Sequence, residues 1–159
     1  MDKIDQKILS ELSKDSAISI PKLSEKINVN SSVVYSRIRR LLKNKLIERF
    51  TIEINNKELG YGVKSLTGIN MDSKQRDVVI QELFKIPGVR EVSEVTGRFD
   101  ILVTMYAENL SEMYRIVSDG IGKIQGVIGS ESFIEMKTRT KQMSSVSYTH
   151  LTLPTICSV

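Results

Sequence analysis

Apolar residues in the first part of the chain recur three or four positions apart, the spacing of one buried helix face. Ile4, Ile8 and Leu12 define a first helix over residues 4–13. A second helix follows Ser19, whose hydroxyl can cap its first turn. Both segments have one apolar side only, and they therefore predict a small helical domain rather than strands.

A third helix is predicted after a short polar break at residues 28–30. Asn30 can cap this helix, which extends to about Lys43. Its apolar side consists of Val34, Ile38, Leu41 and Leu42. Two short helices joined by a tight turn, the second capped by asparagine, predict a helix-turn-helix arrangement.

The second part of the chain contains an internal repeat. Lys85–Val89 recurs 38 residues later as Lys123–Val127, and in both copies an amphipathic segment ends at a glycine before a strand. Strand patterns at residues 64–71 and 98–106 precede the two amphipathic segments. The order β-α-β therefore occurs twice, which predicts a ferredoxin-like βαββαβ domain with both helices on one face of the sheet.

The chain is therefore predicted to be an α+β protein with two domains. Residues 1–50 form a three-helix helix-turn-helix domain of the winged type, and residues 64–141 form the βαββαβ domain. Residues 51–63 connect them, with Phe50–Ile54 predicted as a strand and a turn after it.

Residues 144–159 continue none of these patterns, and Val146–Thr155 within them resembles a translated library adaptor. We expect them to be a non-native tail, although a genuine irregular C-terminal strand is the alternative. The only histidine and the only cysteine, His150 and Cys157, lie in this segment, so neither receives a metal or catalytic role. With one cysteine, no disulfide framework is expected.

The strand around residues 99–106 has apolar side chains on both of its alternating faces. Phe99, Ile101, Val103 and Met105 form one set, and Leu102 and Tyr106 belong to the other. In a sheet with one face exposed to solvent, apolar and polar side chains alternate more cleanly along each strand. We therefore expect a second copy of the chain to cover the face opposite the helices. The predicted assembly is a homodimer, which would present two helix-turn-helix units.

Charge separates the two domains. Residues 1–50 contain eleven Lys and Arg against six Asp and Glu, whereas residues 64–142 contain eleven of each. A localised basic domain is typical of proteins that bind a phosphate backbone, although a solvated basic surface is the alternative. No apolar stretch approaches the roughly 18 residues of a membrane span, and no secretory signal is visible. A cytoplasmic protein without membrane contact is expected.

The third helix concentrates this charge on its polar side. Hydroxyls near its start can approach base edges, arginine can bond guanine or phosphate, and lysine can neutralise phosphate. An ordinary amphipathic helix with a solvated basic face is the alternative. The candidate residues for contact with double-stranded DNA are Ser31, Ser32, Tyr35, Ser36, Arg37, Arg39, Arg40 and Lys43.

These segments resemble the leucine-responsive regulator/AsnC family, also called feast/famine regulators. The matching segments are Met1–Leu9, Val33–Leu41, Ile54–Asn55, Leu59–Tyr61, Ile86–Val89 and Thr96–Asp100. The resemblance implies a transcription regulator whose dimers assemble further and respond to amino acids or related metabolites. Lys45 stands where a glycine is usual, which suggests a different end for the third helix.

The same resemblance implies an effector site at the Gly-x-x-Asp loop. Backbone amides near Gly97 and Arg98 would hold a ligand carboxylate, and Asp100 would pair with its ammonium group. Ser130 and Ser132 on the last strand would line the same cleft. The alternative is that Gly97 only forms the turn and Asp100 only stabilises it.

Two rival functions share this fold. The chain can be an architectural DNA-binding protein without effector, or a relative of the haem-pathway decarboxylases. The second is disfavoured because no histidine lies outside the tail, and no phosphate loop or nucleophile constellation occurs. We therefore expect no enzyme activity, no catalytic residue, no metal and no cofactor.

Overall fold

The computed structural model describes residues 1–141, so the predicted tail at residues 144–159, with His150 and Cys157, lies outside the described residues. The described chain forms two units, residues 1–53 with residues 139–141 and residues 54–138.

The first unit consists of three helices at the predicted positions. They are α1 (Lys3–Lys14), α2 (Ile20–Ile27) and α3 (Ser31–Lys43). Their apolar faces meet in one core, and each helix therefore contributes the side predicted from its spacing. The buried members of that core are Ile8, Leu23, Ile27, Val34 and Leu41.

Polar side chains cap the start of every helix in this unit. At α1, the Asp5 amide donates to Asp2 Oδ1 at 3.0 Å and the Asp2 amide donates to Asp5 Oδ2 at 3.2 Å. Ser19 Oγ accepts from a first-turn amide of α2, and Asn30 Oδ1 accepts from the Ser32 amide at 2.9 Å. These bonds satisfy amides that have no partner inside a helix.

The turn between α2 and α3 has the geometry of a Schellman motif. Asn28 has a left-handed backbone with φ of 53°, which asparagine tolerates better than most residues. Its amide donates to the Glu25 carbonyl at 3.2 Å, and the Val29 amide donates to the Ser24 carbonyl at 3.1 Å. Local hydrogen bonds therefore determine where α3 begins.

A Schellman motif also ends α3, so the different helix end that Lys45 suggested is not found. Lys45 adopts a φ of 56°, the left-handed conformation that glycine would adopt. Its amide donates to the Leu42 carbonyl, and the Leu46 amide donates to the Leu41 carbonyl, both at 3.0 Å. The hydrogen bonds of a glycine-type cap thus form around a lysine with an unfavourable backbone.

Lys45→Gly is accordingly expected to stabilise the first unit by about 0.5–1 kcal/mol. Relief of the left-handed strain, about 1–2 kcal/mol, exceeds the entropy cost of glycine, about 0.5–1 kcal/mol. Urea unfolding followed by circular dichroism measures this change. Asn44→Gly is the matched control, since Asn44 has a φ of −82° and offers no strain to relieve. Equal effects of both substitutions would contradict the explanation.

The predicted strand at Phe50–Ile54 is absent from the described chain. The segment carries exposed apolar side chains at alternate positions, Phe50, Ile52 and Ile54. Alternation predicts an extended backbone, but a strand also needs a neighbour to pair with. No segment of the described chain pairs with it.

The second unit has the predicted βαββαβ order. Its elements are β1 (Val63–Met71), α4 (Arg76–Lys85), β2 (Val89–Glu94), β3 (Ile101–Ala107), α5 (Leu110–Arg115) and β4 (Val127–Ile134). The four strands form one antiparallel sheet in the order β2-β3-β1-β4. After α5 the chain continues through a π turn at Ile116–Gly120, which the helical spacing did not predict.

The repeat corresponds to two equivalent turns that lead from helix to strand. Gly88 has a φ of 94° and Gly126 a φ of 100°. The Val89 amide donates to the Ile86 carbonyl at 3.2 Å, and the second copy has the same bond at the same distance. A positive φ at the third residue is the requirement of a type II turn, which explains the glycine in both copies.

The sheet has one face covered by the helices and one open face. On the covered face Ile69, Ile101, Val103 and Met105 pack with Val79 and Leu83 of α4. The prediction that Phe99 belongs to this set is wrong. Its ring lies over Gly68 on the open face, so close that a Cβ on Gly68 would meet ring carbon Cδ2 at 2.4 Å.

Candidate DNA interface and ligand loop

The polar side of α3 is exposed along its whole length. Val34 and Leu41 are buried in the core of the first unit, and the opposite side carries the candidate DNA contacts. Those that are exposed are Ser32, Tyr35, Ser36, Arg39, Arg40 and Lys43, whereas Ser31 and Arg37 are half-buried. The helix therefore offers a continuous polar and basic surface.

Two of the predicted DNA contacts form ion pairs within the protein. Arg40 Nη2 lies 2.8 Å from Asp5 Oδ2, and Arg37 Nη1 lies 3.3 Å from Asp5 Oδ1 and also bonds Asp2. The Asp5 side chain is only 1% exposed. Because a buried carboxylate needs hydrogen-bond partners, these arginines connect α3 to the start of α1.

Electrostatics at this contact favour the charged forms. The Asp5 amide and the Arg37 guanidinium hold the pKa of Asp2 below its ordinary value of 3.8. The hydrogen bond to Asp2 raises the pKa of Arg37. Because the pKa of Asp2 is lowered on folding, its contribution to stability is present above pH 3.8 and is lost as the pH falls below it.

The remaining polar residues of α3 differ in how far they are engaged. The Ser32 hydroxyl donates to Asn30 Oδ1 at 2.9 Å as part of the helix cap. The Arg39 guanidinium lies over the Tyr35 ring, 5.9 Å from its centroid. Among residues 1–141, neither Arg39 nor Lys43 has a carboxylate within ion-pair distance.

The predicted Gly-x-x-Asp loop spans residues 95–100 between β2 and β3. Gly97 has the expected positive φ, here 131°. The loop is longer than the tight hairpin expected from the sequence, and β3 begins only at Ile101. Asp100 Oδ2 accepts a hydrogen bond from the Met71 amide at 3.0 Å. The Asp100 side chain therefore stabilises the end of β1, a contact that neither interpretation of this loop expected.

Arg98 extends from this loop over the open face of the sheet. Its guanidinium forms an ion pair of 2.8 Å with Glu131 on β4 and lies 5.3 Å from the centroid of the Phe99 ring. Sequence reasoning missed Glu131 and the role of Phe99. The alternation of side chains along β4 is the signal that could have indicated Glu131, which lies opposite Gly68 in the sheet.

Ser130 and Ser132 lie on the other face of the sheet. In the register of the sheet Ser130 is opposite Ile69 and Ser132 is opposite Thr67, both buried under the helices. The hydroxyls of Ser132 and Thr67 share a hydrogen bond of 2.8 Å. Since successive residues of a strand point to opposite faces, these serines and the Arg98 side chain lie on opposite faces of the sheet of one chain. A cleft shared by them stays a prediction about an assembly of several copies.

In the part of the chain that the structure describes, no three His, Cys, Asp or Glu side chains are grouped as metal ligands. Over the same residues, no helix combines the length and apolar character that a membrane span requires.

Comparison with known proteins identifies the family. Residues 65–145 match the family model of the Lrp/AsnC ligand-binding domain, and residues 1–48 match that of a winged helix-turn-helix DNA-binding domain. The chain belongs to the Lrp/AsnC family. It is a transcriptional regulator with a DNA-binding helix-turn-helix domain and an Lrp/AsnC ligand-binding domain.

Similar proteins agree with this assignment. An HTH-type transcriptional regulator of Pyrococcus horikoshii is 36% identical over 144 residues, which cover 86% of this chain and 95% of that protein. A transcriptional regulator of Neisseria meningitidis, solved as a complex with L-Met, has a TM-score of 0.86 at 20% identity, covering 95% of this chain and 99% of that chain. Escherichia coli AsnC has a TM-score of 0.81 at 20% identity, covering 91% and 98%. The structures support the Lrp/AsnC fold.

Proposed function

We propose that this Lrp/AsnC regulator binds specific duplex DNA through the exposed side of α3, as a homodimer, in response to an amino acid or related metabolite. One observation supports the proposal above all others. The helix that follows the turn buries its aliphatic side and exposes Tyr35, Ser36, Arg39 and Lys43. A major groove accepts a helix, and these side chains can reach base edges and phosphates there.

Lys43→Ala is expected to weaken binding to all duplexes and to reduce the salt dependence of binding. Each lost phosphate contact lowers the slope of log K against log salt by about 0.9. Fluorescence anisotropy with the self-promoter duplex and a shuffled duplex, over a salt series, measures both quantities. Lys123→Ala is the matched control, because it removes the same charge from the second unit, where Lys123 pairs with Asp119.

Two outcomes would contradict the proposal. An unchanged salt slope for Lys43→Ala would mean that the last turn of α3 lies away from the DNA. Equal affinity of the unmodified protein for the self-promoter and shuffled duplexes would instead favour an architectural DNA-binding protein.

The open face of the sheet supports the homodimer. It carries Leu66 and Phe133, which are 42% and 48% exposed, and the half-buried Leu102 and Tyr106. Apolar side chains gathered on one sheet face favour burial against another surface. A second copy placed there by a two-fold axis would present two α3 helices to two half-sites of DNA.

The loop at residues 95–100 supports an effector that carries both charges. Arg98 and Glu131 lie 2.8 Å apart on the open face, beside the Phe99 ring. An exposed ion pair contributes little to stability. Arg98 can therefore leave Glu131 and bind the carboxylate of an amino acid, while Glu131 binds its ammonium group. The backbone amides near Gly97 offer further donors, while Asp100 keeps its bond to Met71.

An amino acid that binds this loop is expected to raise the midpoint of thermal unfolding. A ligand at a concentration of 100 times its Kd stabilises the folded state by about 2.7 kcal/mol. Differential scanning fluorimetry with the twenty amino acids identifies it. Arg98→Ala should abolish the shift, whereas Arg115→Ala on α5 should leave it unchanged. A shift of the same size in Arg98→Ala would exclude this loop as the site.

A further inference from the structure

The basic side chains of α3 belong to two sets that differ in their ion pairs. Arg37 and Arg40 bond the buried carboxylate of Asp5. Arg39 and Lys43 have no carboxylate partner among residues 1–141. The four residues therefore differ in what they would lose by turning towards DNA.

Arg37 and Arg40 would lose the most. The Asp5 side chain is buried, and its charge is solvated by these two guanidinium groups and the Asp2 amide. If either arginine turned towards a base, the carboxylate would lose a charged partner that water cannot easily replace. These two arginines therefore hold α3 against α1.

Arg39 lies beside an aromatic ring, and none of its donors is bonded within residues 1–141. The Tyr35 ring, one helical turn earlier, has its centroid 5.9 Å from the guanidinium carbon and is itself 52% exposed. A cation–π contact engages the positive charge of a guanidinium group and does not require its N–H donors. An arginine presented in this way suits the two acceptors of guanine, O6 and N7.

From this we infer that Arg39, steadied by Tyr35, recognises one guanine in the major groove of each half-site. Arg37 and Arg40 position the helix and do not recognise bases. Lys43, at the last turn of α3, neutralises phosphate. The inference rests on the proposed function, because it requires that α3 enters DNA.

Selection of binding sites from a randomised duplex library, with the full chain, tests this assignment. The unmodified protein should select one invariant guanine per half-site. Arg39→Ala should lose that preference, so that discrimination at this one position falls by about 5- to 150-fold while the other positions keep theirs. Tyr35→Phe should keep the preference, because the ring remains, and Tyr35→Ala should weaken it.

Matched variants of the same helix separate base recognition from the other roles. Lys43→Ala should weaken binding equally across sequences. Arg40→Ala should lower the midpoint of thermal unfolding and, at temperatures where it is still folded, keep the guanine preference. Arg39→Ala should unfold at the same midpoint as the unmodified protein.

The outcomes distinguish this inference from the proposed function. If the unmodified protein selects a motif but Arg39→Ala keeps its guanine, Arg39 does not recognise it, and only the inference fails. The same holds if folded Arg40→Ala loses the guanine. If the unmodified protein enriches no sequence, specific binding itself fails, and both are overturned.

Discussion

Asp5→Ala is expected to destabilise the first unit by about 2–4 kcal/mol. Its carboxylate is 1% exposed and accepts hydrogen bonds from Arg37, Arg40 and the Asp2 amide. Hydrogen bonds to charged groups contribute about 1.5–3 kcal/mol, and loss of a helix cap adds about 0.5–1 kcal/mol. Both arginines are partly exposed, so water solvates them when the carboxylate is removed. The loss of stability is therefore smaller than that of leaving a buried charge without a partner.

Urea unfolding followed by far-ultraviolet circular dichroism measures this loss, with the second unit as an internal reference. Asp5→Asn is the matched variant, since it keeps the shape and an oxygen acceptor but removes the charge, and its cost should be smaller. Glu11→Ala is the control, because the carboxylate of Glu11 pairs with Lys14 and Lys26 on the surface. A change below about 0.5 kcal/mol in Asp5→Ala, as for an ordinary surface substitution, would refute the structural role assigned to these arginines.

The second large effect is expected in the other unit, where Gly88→Ala should cost about 3 kcal/mol or more. Gly88 has a φ of 94°, and a Cβ at this position would lie 2.3 Å from the Tyr106 carbonyl oxygen. That oxygen belongs to the backbone of β3, and the Tyr106 amide donates to the Gly88 carbonyl at 2.9 Å. The Tyr106 oxygen belongs to the backbone, so rotation of a side chain cannot relieve this clash. The substitution therefore displaces a strand in addition to straining the backbone at residue 88.

Gly60→Ala separates the two contributions. Gly60 has nearly the same φ, 95°, but a Cβ at this position would have no other atom within 4 Å. Its substitution should therefore cost only the conformational strain, about 1–2 kcal/mol. Thermal unfolding of both variants provides the comparison. Equal losses at the two positions would show that the close contact between Gly88 and β3 contributes nothing.

Much of the architecture was determined by the sequence alone, because the responsible interactions are local. Helical spacing and caps predicted all three helices of the first unit, including Asn30 at the start of α3. The repeat around Gly88 and Gly126 predicted the βαββαβ order, because a type II turn needs glycine whatever surrounds it. Such signals depend on residues within about one helical turn or one tight turn of each other.

Only the tertiary structure decided which polar residues remain available for function. The sequence predicted Arg37, Arg39 and Arg40 alike as DNA contacts. Asp5, 35 positions before Arg40, bonds Arg37 and Arg40 and leaves Arg39 without a carboxylate partner among residues 1–141. The register of β4 likewise placed Glu131 beside Arg98 and Ser132 on the covered face. The segment at residues 50–54 has the alternation of a strand but no pairing partner in the described chain. Contacts between residues distant in the sequence depend on how the elements pack, and periodicity within one element contains no information about them.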